Sequence, residues 1–216
     1  MMSAAVSISA LVIVLAALLG GGTVLAASTD AEMDAGMAAV EKGDYPVAVK
    51  IFETLAKAGE AEAQYNLAML YRGGKGLPKD AAQSALWFRR AAEQGLVAAQ
   101  YQLGYLYDTG EGLAQSDHDA FVWYRKAAEQ GHAGAQVNLG VMYANGAGVG
   151  QDLKLAYVWF NLASAQGSGV AFQNKQVLAE VMTAEELEAL LALTREYFQK
   201  YVQPFQQPTQ PYSAPH

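Results

Sequence analysis

AGAQVNLGVMYANGAGVGQDLKLAYVWFNLASAQG, residues 133–167, is the stretch on which the fold turns. It belongs to a unit, 132–167, that aligns without gaps to 96–131 and to 60–95, so the chain repeats with a period of 36. Ala63-Gln64, Ala99-Gln100 and Ala135-Gln136 coincide, as do Leu67, Leu103 and Leu139, and then Tyr71, Tyr107 and Tyr143. Gly74-x-Gly76, Gly110-x-Gly112 and Gly146-x-Gly148 follow in register. The only three tryptophans, Trp87, Trp123 and Trp159, share one repeat position, and Gly95, Gly131 and Gly167 close the units.

Each unit predicts two helices. In the first, Ala63, Leu67, Leu70 and Gly74 are spaced four, three and four apart, an apolar stripe of helical period. It ends at the Gly-rich stretch, where glycine supplies a positive φ. Asp80, Ser116 and Asp152 are side chains suited to accept from the free N–H groups of a second helix. Gln83 and Asp119, three residues after the first two caps, make loose capping boxes. The repeated Trp, Tyr and Leu positions read as packing between neighbouring units, because they recur at core spacing.

Irregular units flank the three regular ones, as an array needs to cover its end faces. Residues 27–59 form a degenerate repeat without the long Gly loop: Thr29-Asp30-Ala31-Glu32 is a capping box for a helix to about Lys42, and Gly43-Asp44-Tyr45-Pro46 turns into a second. Residues 168–202 form the closing helices, one over 168–181 and one opened by Thr183-Ala184-Glu185-Glu186 and running to about Tyr201. Leu187, Leu190, Leu191, Tyr197 and Phe198 lie near one face of the last helix and are expected to seal the stack, with the Thr194 hydroxyl interrupting them. Four of the six prolines fall in 204–215, so 203–216 reads as a disordered Pro/Gln-rich tail.

The pattern A-x-A-Q-x-x-L-G-x-[ML]-Y-x-x-G-x-G-[LV]-x-x-D, then A-x-x-W-[FY] and A-A-x-Q-G, resembles the Sel-one-like repeat family (SLR), relatives of the tetratricopeptide repeats. The gapless part covers 60–167 and the irregular units extend the resemblance to about 29–201. Departures are small: Ala68 for Gly, Ser84 at the small position before Trp87, Val97 for Ala, Ser116 for Asp and Ser164 for Ala. The resemblance implies an all-α fold, a right-handed α/α superhelix of about ten helices, that binds proteins or peptides as an adaptor or, in bacteria, a periplasmic regulator. A cysteine-rich branch of the family carries disulfides and is linked to penicillin binding; a chain without cysteine stands apart from it.

Residues 1–26 read as an export segment. No side chain is charged before Asp30, Ala10 to Leu19 is unbroken apolar sequence, and small residues follow, with cleavage expected after Ala26. The apolar run is shorter than the roughly 20 residues of a membrane span, and the n-region has no Lys or Arg. The alternative is an uncleaved anchor over about 4–27, in which case the membrane becomes a partner. Export places the protein in the periplasm or outside the cell, without disulfides to stabilise it.

Composition narrows the chemistry. Zero cysteine removes thiol nucleophiles, thiolate zinc and cysteine-ligated clusters. A net charge of −7, from 14 basic and 21 acidic side chains, argues against nucleic acid as a partner. Gly73-Gly74-Lys75-Gly76-Leu77 has no Ser or Thr after its Lys and follows a helix, so it is no phosphate loop. Asp117-His118-Asp119 would splay around a first turn at about 100° per residue, away from any shared ion. His132 sits at a repeat junction and is expected to contact a neighbouring helix end; Asp108 and Glu111 are a carboxylate pair with no third group.

No catalytic, cofactor or metal residue is therefore assigned, and the protein reads as a non-catalytic scaffold whose partner is another protein or peptide. The alternative is an envelope enzyme, or enzyme subunit, acting on cell-wall material. Repeat positions three, seven, ten and fourteen of the first helices form one face: Glu62, Asn66, Met69, Gly73; Ala98, Gln102, Tyr105, Thr109; Gly134, Asn138, Val141, Asn145. Asn66, Met69, Gln102, Tyr105, Asn138 and Val141 are the candidate concave binding face, amides for a peptide backbone and soft apolar groups for its side chains.

Overall fold

The computed structural model describes residues 29–205. Ten α-helices lie among these residues, and no strand. Helix α1 covers 29–41. The others are α2 (Tyr45–Ala58), α3 (Ala61–Gly73), α4 (Ala81–Glu93), α5 (Val97–Thr109), α6 (Asp117–Glu129), α7 (Ala133–Asn145), α8 (Leu153–Ala165), α9 (Gly169–Ala179) and α10 (Ala184–Tyr201). The helices fall into two compact units, one through Lys79 and one from Asp80. The export segment, its cleavage point and its anchor alternative lie outside the described residues, as does the tail beyond residue 205. No helix among the described residues is long and apolar enough to cross a membrane.

The second helices start where the sequence places their caps. Asp80, Ser116 and Asp152 accept from the backbone N–H groups of Gln83, Asp119 and Leu155, at 2.9, 3.2 and 2.9 Å. Each such cap stabilises its helix by about 1 kcal/mol. A full reciprocal box forms at Thr183, which accepts from Glu186 N–H while its own N–H donates to the Glu186 carboxylate. At the other terminus, Thr29 is the first described residue of α1. Helix α6 ends in a left-handed Gly131 whose N–H bonds Ala128 C=O while His132 N–H bonds Ala127 C=O. The same pair of bonds closes α4 and α8, satisfying carbonyls the helix itself leaves open.

In the first unit α2 packs on α3. A β-carbon on Gly36 would stand 2.5 Å from the Phe52 ring, so the small residue in α1 is what admits that ring. Gln64, 4% exposed, donates to Ala56 C=O at 3.2 Å.

The second unit repeats these relationships. Helices α4 to α9 pack each on the next. Gly104 faces Tyr124 and Gly140 faces Phe160, each 2.6 Å from where a β-carbon would sit. The buried Gln100 and Gln136 donate to Ala92 and Ala128 C=O at 3.3 and 3.2 Å, crossing from each first helix to the last turn of the second helix before it. Their side-chain carbonyls in turn accept from Gln130 and Gln166, at 2.7 and 2.8 Å. The conserved-in-register glutamine is thus a polar staple between units, and a buried amide in this role avoids the roughly 1–3 kcal/mol cost of an unpaired group.

Trp87 and Trp159 are buried, as their register implies. Trp123 is only half-buried, and the Lys126 ammonium covers it at 3.8 Å from the ring centroid. Helix α10 lies against α8, where Tyr197 and Tyr201 pack on Trp159 at 5.6 and 5.7 Å between centroids. Leu190 is buried there, but Leu191 is 44% exposed: the sealing face is narrower than the apolar sequence suggests. Thr194 fits it by turning its hydroxyl to Leu190 C=O at 2.8 Å, so no polar atom is left unpaired. Past α10, Val202 is buried and Gln203–Phe205 form a 3-10 turn beside Gly131.

Candidate functional site

In the first unit, Asn66 and Met69 stand one turn apart on α3, Asn66 half-buried and Met69 40% exposed. Asn66 Nδ2 approaches the Met33 sulfur on α1 at 3.9 Å. Both line a cavity of about 430 Å³ between α1 and α3, walled by Val40, Tyr65 and Leu70, with Arg72 and Lys75 at one end. Lys75 also rests on the Tyr45 ring, 5.2 Å from its centroid.

In the second unit, Gln102 and Tyr105 are half-buried on α5, and Tyr105 packs on the core around Tyr124 and Leu139. Its ring is therefore partly committed to packing, which a surface reading of its register position did not anticipate. Asn138 is half-buried on α7 and Val141 is 38% exposed. Asn138, Val141, Asp108 and Tyr124 line a cavity of about 150 Å³ between α5 and α7. Val141 also lines a second cavity, about 220 Å³, between α7 and α9, with Phe160 and Leu178 for its floor.

That second cavity brings in residues absent from the sequence-based face. Asn174 and Val177 of α9 line it, Val177 being 64% exposed. They occupy the same repeat positions as Asn138 and Val141, 36 residues on. Position seven thus reads Asn66, Gln102, Asn138, Asn174, and position ten reads Met69, Tyr105, Val141, Val177. Extending the period one unit further finds them; the closing unit lacks the Ala-x-Ala-Gln signature, which is why the register was not carried that far.

The ionisable groups beside this face are engaged structurally. The Tyr124 hydroxyl donates to the Asp108 carboxylate at 3.3 Å and also bonds the Asn138 side chain. Burial, seconded by the Asp108 charge, raises its pKa well above the usual tyrosine range. His132 caps α7: its Nδ1 accepts from Ala135 N–H at 3.1 Å, and its ring stacks on Tyr101 at 4.4 Å. Burial lowers its pKa. The helix end it caps is that of its own helix and not of a neighbouring one, because its ring folds back onto the N–H three residues on. Asp117 and His118 lie exposed on the first turn of α6. What the arrangement offers chemically is amide hydrogen bonding beside shallow apolar wells.

The family model described as Sel1 repeat matches residues 61–96, 97–132 and 133–168. Among solved structures, a protective antigen with an SLR fold, present in uropathogenic Escherichia coli strains, is 31% identical, with a TM-score of 0.66. That match covers 79% of this chain and 38% of the other, so the chain spans well under half the length of that relative. A Sel1 repeat protein from Oxalobacter formigenes is 38% identical, with a TM-score of 0.55, over 58% of this chain and 94% of the other. No curated protein matches the chain.

Proposed function

The chain belongs to the Sel1 repeat family, whose repeats generally serve as protein-interaction scaffolds, and from that premise we propose that it is an exported, non-catalytic adaptor holding an extended segment of another protein against its first helices. The observation that carries this reading is the paired register: an amide at position seven and an apolar side chain at position ten, in each of four first helices. An extended peptide presents backbone N–H and C=O groups that an amide can meet with both donor and acceptor, while its side chains need apolar wells. Asn174, Val177 and Val141 supply both around one cavity, and Asn138 with Val141 lines the adjoining one. Export follows from the uncharged apolar run at 10–19 and the small residues after it.

The test is a pull-down from envelope extract with residues 27–216, beside a variant carrying Asn138→Ala, Asn174→Ala and Val177→Ser. Partners captured by the parent and lost by the variant, at unchanged circular dichroism, support the reading. A folded variant that captures the same proteins sinks it. Mass spectrometry of the protein recovered from the cell envelope tests export: an N-terminus near Ala27 is expected, and a retained Met1 or Met2 removes the cleaved form.

A further inference from the structure

Building on the peptide-binding reading, we propose that the two cavities flanking α7 recognise a basic side chain and an aliphatic one, so that the partner segment carries Lys or Arg two or three positions from Val, Ile or Leu. The smaller cavity, between α5 and α7, is lined by one charged group, Asp108, with Tyr124, Asn138, Val141 and Met142. Asp108 is exposed, and its side chain is held by the Tyr124 hydroxyl, a neutral donor that leaves the negative charge in place. No basic side chain among the described residues pairs with it. Tyr124 itself is fully buried, and Asn138 bonds its hydroxyl, so the carboxylate is oriented by a fixed chain of hydrogen bonds.

A volume of about 150 Å³ admits an ammonium or guanidinium head with its nearest methylenes. Val141 and Met142 suit the methylene stem. The chain's net charge of −7 favours approach of a basic segment.

The neighbouring cavity differs in kind. Phe160, Val177 and Leu178 make it apolar, with Asn145 and Asn174 as its amides, and no charged residue lines it. Val141 and Asn145 border both cavities, so the two are contiguous across α7. Neighbouring packed helices lie roughly 8–10 Å apart. An extended chain advances about 3.3 Å per residue, which sets the two anchoring side chains two or three positions apart.

The experiment screens the chain from residue 27 against an immobilised library of decapeptides randomised at four central positions. The best binder is then titrated by fluorescence polarisation against parent, Asp108→Asn and the triple variant Asn138→Ala, Asn174→Ala, Val177→Ser. Enrichment of Lys or Arg two or three positions from a branched aliphatic residue is expected. Asp108→Asn should weaken that peptide about tenfold or more, and should leave a version with norleucine for the basic residue within about twofold. Peptide binding without a basic preference, or a preference that Asp108→Asn leaves intact, overturns this inference while the peptide-binding reading stands. Failure to select any peptide, or binding that the triple variant does not weaken, overturns both.

Discussion

Gly112 lies so close to the first turn of α4 that a β-carbon on it would stand 2.1 Å from the Ala81 carbonyl oxygen. Gly148 bears the same relation to Asp117, at 2.2 Å, so the second glycine of each loop is where one unit's turn seats on the helix of the unit before it. Gly112 also has φ +78°. Gly112→Ala therefore combines a left-handed backbone, costing about 1–2 kcal/mol, with a backbone clash of about 1–3 kcal/mol. Gly95 has φ +92° but nothing within 4 Å of a β-carbon, so Gly95→Ala should lose only about 1 kcal/mol. Urea unfolding of both variants checks the ranking; equal losses would show that the close seat on Ala81 contributes nothing.

Gln136 is fully buried and joins two helices at once, donating to Ala128 C=O and accepting from Gln166. Gln136→Leu keeps the volume and removes both bonds, although the Ala128 carbonyl keeps the Gly131 N–H. A loss of about 2 kcal/mol is expected. Gln166→Ala, at a half-buried position, removes only the outer bond and should cost about 1 kcal/mol or less. The reverse order in urea midpoints would mean that the inner bond to Ala128 is not the stabilising part.

His132 predicts a pH dependence with a definite sign. Burial holds its folded-state pKa below 6.5, the ordinary value, and only the neutral ring can offer Nδ1 to Ala135 N–H. A proton would also place positive charge at a helix N-terminus. The unfolded chain therefore takes up the proton first. The stabilisation is fully present above pH 6.5, declines as pH falls below it, and levels off once the folded state also protonates. His132→Asn retains a capping side chain that does not titrate. The melting temperature of the parent, minus that of the variant, should fall below pH 6.5; a difference that stays flat from pH 8 to 5 rejects the assignment.

How much of this could be read from the chain follows from which interactions are local. Asp80, Ser116 and Asp152 act on N–H groups three residues away, so their role is written in adjacent sequence. Gln100 and Gln136 act across units, yet the period exposes them, because a contact between repeats must recur with the repeat. The closing helices obey neither rule. Leu191 and Val177 look like core residues by composition, and each is exposed, with no described helix packed over it. Trp123 shares the register of Trp87 and Trp159, but Trp159 has Tyr197 and Tyr201 over it, whereas Trp123 has Lys126. On the candidate face, the amide and apolar positions were legible as a stripe. The Asp108–Tyr124–Asn138 chain was not, since it joins three helices through contacts that no spacing encodes.

Ser84 offers the opposite test, a position where a local rule is broken without a compensating bond. Its repeat equivalents are Ala120 and Ala156, both fully buried, and Ser84 is 1% exposed. Its hydroxyl oxygen has no hydrogen-bond partner among the described residues. A buried hydroxyl without a partner forfeits its hydration and gains nothing in exchange, at about 1–3 kcal/mol, while its volume differs little from that of alanine. Alanine is also the better helix former inside α4, by a few tenths of a kcal/mol. Ser84→Ala should therefore stabilise the protein by about 1 kcal/mol, read as a higher urea midpoint at unchanged slope. A lower midpoint would mean that the hydroxyl makes a stabilising bond in solution, and that the alanine at this position in the other two units answers to something other than the cost of burying an oxygen.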